Sequence, residues 1–218
     1  MDKVISTAKA VEFVKDGMTV MVGGFLANGT PETLIDALVA KGVKDLTLIC
    51  NDTGFPDRGT GKMVVKKQFK KIVASHVGTN PETGKQMNSG ETEVLLVPQG
   101  TLAERIRCGG TGLGGFLTPT GIGTEVEEGK QKMTVDGKDY LLELPLRADV
   151  ALLYCSTVDK AGNMVYTYTQ RNFNPMMAMA ADLVICEADT IMDVGQVDPN
   201  SVVTPGIFVD YIVRKGDA

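Results

Sequence analysis

Three features of this 218-residue chain predict an α/β fold built on an open, mainly parallel sheet with flanking helices. Short apolar, β-branched runs alternate with helical patterns, glycine turns follow several of the runs, and the runs lack the polar alternation of a half-exposed strand. Such runs suit strands covered on both faces, and strand–helix alternation implies crossovers between parallel neighbours.

In chain order, a helical pattern over Ala8 to Lys15 precedes the apolar run Thr19 to Val22, a buried strand. Gly23-Gly24 allows a sharp turn where a Cβ would clash, and Gly29 frees the backbone again. Thr30 is expected to cap a helix whose first residue is Pro31, with Glu32 in its positive first turn and Leu34, Ile35, Leu38 and Val39 on one face, through Lys41. Strands are then predicted at Leu46 to Cys50, Lys71 to Ser75, Val94 to Val97, Val150 to Tyr154 and Leu183 to Cys186, and helices at Gly61 to Gln68 and Leu102 to Arg107. Lys132 to Val135 and Lys138 to Leu142 flank Asp136-Gly137, a tight-turn dipeptide, which predicts a small antiparallel hairpin excursion serving as a lid or an edge. Gly109 to Gly123 is dense enough in glycine for a mobile or ligand-approaching loop. No internal repeat or linker is apparent, and residues 1-218 read as one domain.

Composition narrows the function. A net charge of −5 gives no electrostatic footprint for nucleic acid. Lys62, Lys66, Lys67, Lys70 and Lys71 form a local basic cluster, read as a solvated helix face before a patch for an anionic cofactor. The four cysteines are far apart with no C-x-x-C pair, as expected of reduced, buried thiols. With no leader-like apolar segment at the start and no run near the roughly 18 apolar residues of a membrane span, a cytoplasmic protein is expected. His76, the single histidine, makes neither a zinc site nor a triad and reads as a polar strand-end residue.

In a parallel sheet, ligands bind beyond the carboxyl ends of the strands. The loops after Val22, Cys50 and Val97 lie there and carry Gly23 to Gly29, Asn51-Asp52 and Gln99. The first runs from a strand through glycines to a helix N-terminus, an arrangement suited to a phosphate or a developing oxyanion. Amide side chains such as Asn51 and Gln99 can donate to a carboxylate or thioester oxygen without titrating. Each also has a plainer role open to it, Asn51 capping a turn and Gln99 capping the helix near Thr101. Phe25 either stands over a ligand or plugs the core beneath its loop. A dinucleotide site is disfavoured, because Gly23, Gly24 and Gly29 do not make G-x-G-x-x-G.

The stretch Asp16-Gly17, an apolar triplet, Gly23-Gly24-Phe25 and Gly29-Thr30-Pro31 resembles the first signature of the class I coenzyme A transferases. Asn51-Asp52, Pro98 to Arg107, Gly109 to Gly112, Thr118 to Gly121, Arg171 to Pro175 and Thr204 to Gly206 are also similar to that family, in its order. The resemblance implies that Gly23, Gly24, Phe25, Leu26, Ala27, Asn28 and Gly29 border the coenzyme A and acyl site, and that Asn51 and Gln99 face a site shared with a second subunit. The family's catalytic glutamate lies in a Ser-Glu-Asn-Gly segment that this chain lacks. Glu91 and Glu187 sit outside any such motif and read as surface or strand-end carboxylates. The chain therefore resembles an alpha subunit, with the nucleophilic glutamate on a beta subunit, no metal, and no permanently bound cofactor beyond coenzyme A thioesters as substrates.

For that family the reaction is exchange of coenzyme A between carboxylates through a glutamyl thioester. Gly114 to Thr124 and the hairpin after it look more like bacterial enzymes handling acetate, butyrate and acetoacetate than like mitochondrial succinate-using relatives, with a 3-oxoacid transferase using succinyl-CoA as the alternative enzyme. Leu26 to Thr30, however, departs from the Gly-Leu-Cys-Gly-Ile of ketoacid-type members. A metabolite-sensing module of related fold is the non-enzymatic alternative. A half-site implies an obligate heteromer with an interface above about 2,000 Å². Met176, Met177 and Met179 would line that interface or, at helical spacing, the core.

Overall fold

The computed structural model describes residues 2–217. Seven strands form its main sheet, in chain order β1 (Thr19–Val22), β2 (Leu46–Ile49), β3 (Phe69–Ala74), β4 (Glu93–Leu96), β8 (Ala148–Asp159), β10 (Ala181–Met192) and β11 (Tyr211–Arg214). They lie in the spatial order β11-β10-β8-β1-β2-β3-β4, all parallel, and β9 (Met164–Val165) adds antiparallel to β8. The excursion is a separate antiparallel sheet, β5 (Phe116–Thr118), β7 (Lys138–Glu143) and β6 (Lys132–Val135), in that order. Its turn has Asp136 at φ 49° and Gly137 at φ 74°, the two left-handed residues that the dipeptide predicts.

Successive strand residues point to opposite faces, and the core divides accordingly. Val20, Val22, Leu48, Ile72, Val150 and Leu152 pack with Ala10 of α1 (Thr7–Glu12), with Leu34, Ile35 and Leu38 of α2 (Glu32–Lys41), and with Met63 and Val64 of α3 (Gly61–Val65). Met21, Ile49, Val73, Ala151 and Leu153 belong to the other face, with Leu102 and Ile106 of α5 (Gln99–Thr111) and Met177 of α6 (Asn174–Met179). Met177 is wholly buried and Met176 packs against the same cluster, so these methionines serve the core.

Several boundaries differ from the sequence reading. Strands β8 and β10 extend well past their apolar centres, because they continue to pair with each other as far as Asp159 and Met192. Glu187 is therefore an interior strand residue, not a strand-end one. The helix α4 (Pro81–Ser89) lacks an apolar stripe and escapes a periodicity search. It is anchored by polar contacts instead: Gln86 Nε2 donates to the Val64 carbonyl at 2.9 Å and Thr83 Oγ1 to Thr53 Oγ1 at 2.9 Å. Helix α2 has the predicted span, but Pro31 occupies its cap position and Thr30 makes no side-chain cap there. The carboxylate of Glu187, reaching across from β10, accepts the Leu34 amide at 3.0 Å and the Thr33 hydroxyl at 3.1 Å and takes over that role.

Candidate functional site

Beyond β1 the chain makes a two-residue hairpin. Phe25 and Asn28 exchange backbone hydrogen bonds at 3.0 and 2.9 Å, with Leu26 at φ 49° and Ala27 at φ 63° between them. Two consecutive non-glycine residues in left-handed conformation are uncommon and strained, and such turns cluster at ligand sites. The glycines around them are required by space. A Cβ on Gly23 would lie 1.9 Å from Asn174 Oδ1, and one on Gly24 would lie 2.0 Å from Thr30 Oγ1.

Beyond β2 the chain repeats the device. Phe55 and Arg58 exchange backbone bonds at 3.2 and 3.1 Å, and Gly54-Phe55-Pro56-Asp57-Arg58-Gly59-Thr60 matches Gly24-Phe25-Leu26-Ala27-Asn28-Gly29-Thr30 at both glycines, the phenylalanine and the threonine. A short internal repeat is thus present where the sequence reading found none. The second hairpin stacks on the first: a Cβ on Gly59 would meet Ala27 Cβ at 3.3 Å.

Asparagines downstream of β9 fasten the first hairpin. Asn172 Oδ1 accepts the Gly24 amide at 3.1 Å and its Nδ2 donates to the Asn28 carbonyl at 3.0 Å. Asn174, wholly buried, donates to the Gly29 carbonyl at 3.0 Å and accepts the Tyr154 amide at 3.1 Å. Asn28 Nδ2 in turn donates to Thr169 Oγ1 at 2.5 Å. Phe25, Asn28, Thr169 and Asn172 line a largely apolar cleft of about 540 Å³. Phe25 is 39% exposed and Leu26 41%, so both side chains stand at the surface of the loop and neither plugs the core.

Asn51 lies at the carboxyl end of β2, buried, with Nδ2 donating to Asp52 Oδ2 at 2.7 Å and Oδ1 accepting from Ser75 Oγ at 3.2 Å. Gln99 is exposed in the first turn of α5, where Pro98 is the cap residue and no side-chain cap forms. It shares the carboxyl end of the sheet with the hairpins, but β4 is three strand positions from β1, about 14 Å at ordinary spacing. The candidates thus form a tight group, Gly23 to Gly29 with Asn51, and a separate Gln99. The sequence places Asp52 in a ligand-side loop and Asn172 and Asn174 in a stretch similar to the family, but assigns none of the three a role in the site, for which the asparagine-rich run after Arg171 was the available signal.

Cys50, Glu91 and Glu187 are each held in a structural role. Burial pushes the Cys50 thiol well above its ordinary range and the nearby Asp52 charge pushes it further, so it stays protonated and inert. Glu91 is exposed and paired with Lys67 at 2.8 Å, and Glu187 caps α2. The basic cluster is largely spent on neighbours, with Lys62 on Glu32 at 2.6 Å and on Asp36, and Lys71 on Glu93 at 2.7 Å. His76 follows β3, exposed, with its backbone bridged to Asp52. Among the described residues no group of three or more His, Cys, Asp or Glu could hold a metal, and no helix is long and apolar enough to cross a membrane.

A glycine hairpin leads into a capped helix at the carboxyl edge of a parallel sheet, with an apolar cleft beside it. The chain belongs to the coenzyme A transferase family, whose sequence model matches residues 4–215. It is 56% identical over 211 residues to the acetate CoA-transferase subunit alpha of Escherichia coli K12, covering 97% of this chain and 96% of that one. It is 53% identical over 213 residues to the acetoacetyl-CoA:acetate/butyrate CoA transferase alpha subunit of Clostridium acetobutylicum, covering 98% of each. The fold is shared with an acyl-CoA transferase from E. coli O157:H7, at a TM-score of 0.89 and 23% identity; all of this chain is covered, but only 48% of that longer one.

Proposed function

We propose that this chain is the alpha subunit of a short-chain acyl-CoA:carboxylate coenzyme A transferase, exchanging coenzyme A among acids such as acetate, butyrate and acetoacetate. The observation that carries the reading is the apolar cleft beside the Phe25–Asn28 hairpin, open at the carboxyl end of the sheet and sized for a small acyl group and its thioester arm. Residues 1-218 act as one domain. The nucleophile is a glutamate on a beta subunit, held through an interface above about 2,000 Å².

The partner's carboxylate attacks the thioester carbonyl, expelling the coenzyme A thiolate and leaving an acyl-glutamyl anhydride. The thiolate then attacks the glutamyl carbonyl, releasing the first acid and giving a glutamyl thioester, and an incoming carboxylate runs the sequence in reverse. Gly23 to Gly29 wall the acyl end, Gln99 donates an amide N–H to a carboxylate or thioester oxygen, and Asn51 supports the loops from beneath while facing the shared site. Remote binding of the coenzyme is thereby used at the reacting carbonyl. Neither a metal nor a permanently bound cofactor takes part, and the enzyme works in the cytoplasm.

The test is coenzyme A transfer from acetoacetyl-CoA to acetate, butyrate and succinate, with the chain alone and co-purified with a partner carrying Ser-Glu-Asn-Gly. Transfer to acetate or butyrate by the pair alone supports the reading. Transfer by the single chain, or by the pair to succinate only, overturns it.

A further inference from the structure

Asp52 lies between the two hairpins, 6% exposed, and its carboxylate is held by N–H donors of the loops themselves. Oδ2 accepts the Leu26 amide of the first hairpin at 2.8 Å and Asn51 Nδ2 at 2.7 Å, while Oδ1 accepts the Gly54 amide at the base of the second at 2.8 Å. The Leu26 amide belongs to the strained left-handed pair, so the bond is made to the part of the loop that would otherwise relax. Beneath the clasp is a cavity of about 10 Å³, room for about one water, bounded by Gly24, Ala27 and Thr30 from one loop and Gly54, Gly59 and Thr60 from the other. The two loops therefore meet through backbone contacts, through the Asp52 carboxylate at the Leu26 turn, and through Glu32, just past the first loop, whose Oε1 accepts the Gly59 amide at 2.8 Å.

We propose that Asp52 is a positioning residue that sets the separation of the two hairpins and, through the Leu26–Ala27 turn, the placement of Phe25 and Leu26, and so selects the length of acyl chain the cleft accepts. The selection rests on the transferase reading; the clasp itself does not. A carboxylate is required because all three partners are donors. An amide at this position would turn an N–H toward another N–H on at least one side, whichever way it flipped. With the clasp broken, the Leu26–Ala27 pair relaxes toward ordinary backbone and the exposed side chains at the cleft move with it.

The experiment compares wild type, Asp52→Asn, Ala27→Gly and the double variant, each co-purified with the partner subunit. Three quantities are read: the ratio of kcat/KM for butyrate to that for acetate, the thermal midpoint, and hydrogen exchange at the Leu26 amide. Asp52→Asn is expected to change the ratio by about tenfold, the scale on which one or two methylenes are discriminated. It is also expected to lower the midpoint by roughly 4–10 °C and to speed exchange at Leu26 by at least about tenfold. Glycine at position 27 adopts the left-handed turn without a clasp, so the double variant returns the ratio to within about twofold of Ala27→Gly alone.

A uniform loss on both acids with an unchanged ratio overturns the proposal, because a purely structural carboxylate would behave in that way. An unchanged midpoint and unchanged exchange also overturn it. Should the wild-type pair transfer to neither acid, the transferase reading fails and exchange at Leu26 decides the clasp: acceleration in Asp52→Asn supports it and no change overturns it.

Discussion

Gly23 and Asn174 are fitted so closely that a side chain on one excludes the side chain of the other. A β-carbon at position 23 would stand 1.9 Å from Asn174 Oδ1, the atom that accepts the Tyr154 amide at 3.1 Å. Gly23→Ala is expected to cost about 3 kcal/mol or more through overpacking. Asn174→Ala should cost about 2–4 kcal/mol, because the Tyr154 amide and the Gly29 carbonyl lose their partner. The double variant should cost less than the sum, since removing the amide also makes room for the methyl group. Urea unfolding of the four proteins checks this, and strict additivity would contradict the fit.

Phe25→Ala tests whether that surface ring walls the acyl site. With the side chain 39% exposed, truncation should shift the thermal midpoint by less than about 4 °C. If the ring walls the acyl site, kcat/KM should fall by about tenfold or more. An unchanged kcat/KM would remove Phe25 from the acyl site.

The four cysteines are buried, and Cys155 Sγ lies 3.3 Å from Cys186 Sγ. Burial, together with the contact to Cys186, holds the Cys155 thiol well above its ordinary range, so no thiolate is available to react. A colorimetric disulfide reagent should find no fast-reacting thiol in the native chain and four per chain after denaturation. Rapid modification of even one native thiol would show that the sheet opens there.

Glu187 makes stability depend on pH. Burial raises its carboxyl above the ordinary 4.5, although bonds from Leu34 and Thr33 oppose the shift. The folded chain therefore binds this proton more tightly than the unfolded chain. The contribution is fully present below about pH 4.5 and is lost as pH rises through the raised folded value. Glu187→Gln is permanently neutral and lacks that loss. Wild type and variant should accordingly be closest in stability near pH 4.5 and below, and wild type should lose ground to the variant as pH rises through the raised folded value, as followed by thermal unfolding at a series of pH values. A wild type that gains on the variant as pH rises would reverse the sign.

What sequence revealed and what it hid follow different physics. Thr19–Val22 and Glu32–Lys41 were legible to the residue, since a buried parallel strand and an amphipathic helix advertise themselves through local apolar pattern. The hairpin turn at Asp136-Gly137 was equally plain, because its chemistry is local. Helix α4 was missed because its anchors, Thr83 and Gln86, are polar residues satisfied by distant partners. The cap of α2 was assigned to its neighbour Thr30, whereas the capping carboxylate comes from Glu187, more than 150 positions away. In the candidate site the glycine loop was visible, but Asp52, Asn172 and Asn174 act by hydrogen bonding across the fold, and no local pattern encodes that reach.

The pairing of β1 with β8 sets a timetable for synthesis. Val20 lies beside Val150, and strands β1 to β4 are made first and can pair among themselves. The other edge of β1 must wait for a strand 130 positions downstream, about 7–26 s at ordinary elongation rates of roughly 5–20 residues per second. Throughout that interval the nascent chain carries an open, apolar sheet edge, the kind of surface that invites wrong partners. The Gly23 loop waits longer still, for Asn172 and Asn174, so the site is finished only when most of the chain has left the ribosome. Slowing elongation between Thr111 and Ala148 would prolong the exposure, and an early-terminated chain would hold four paired strands with no formed site.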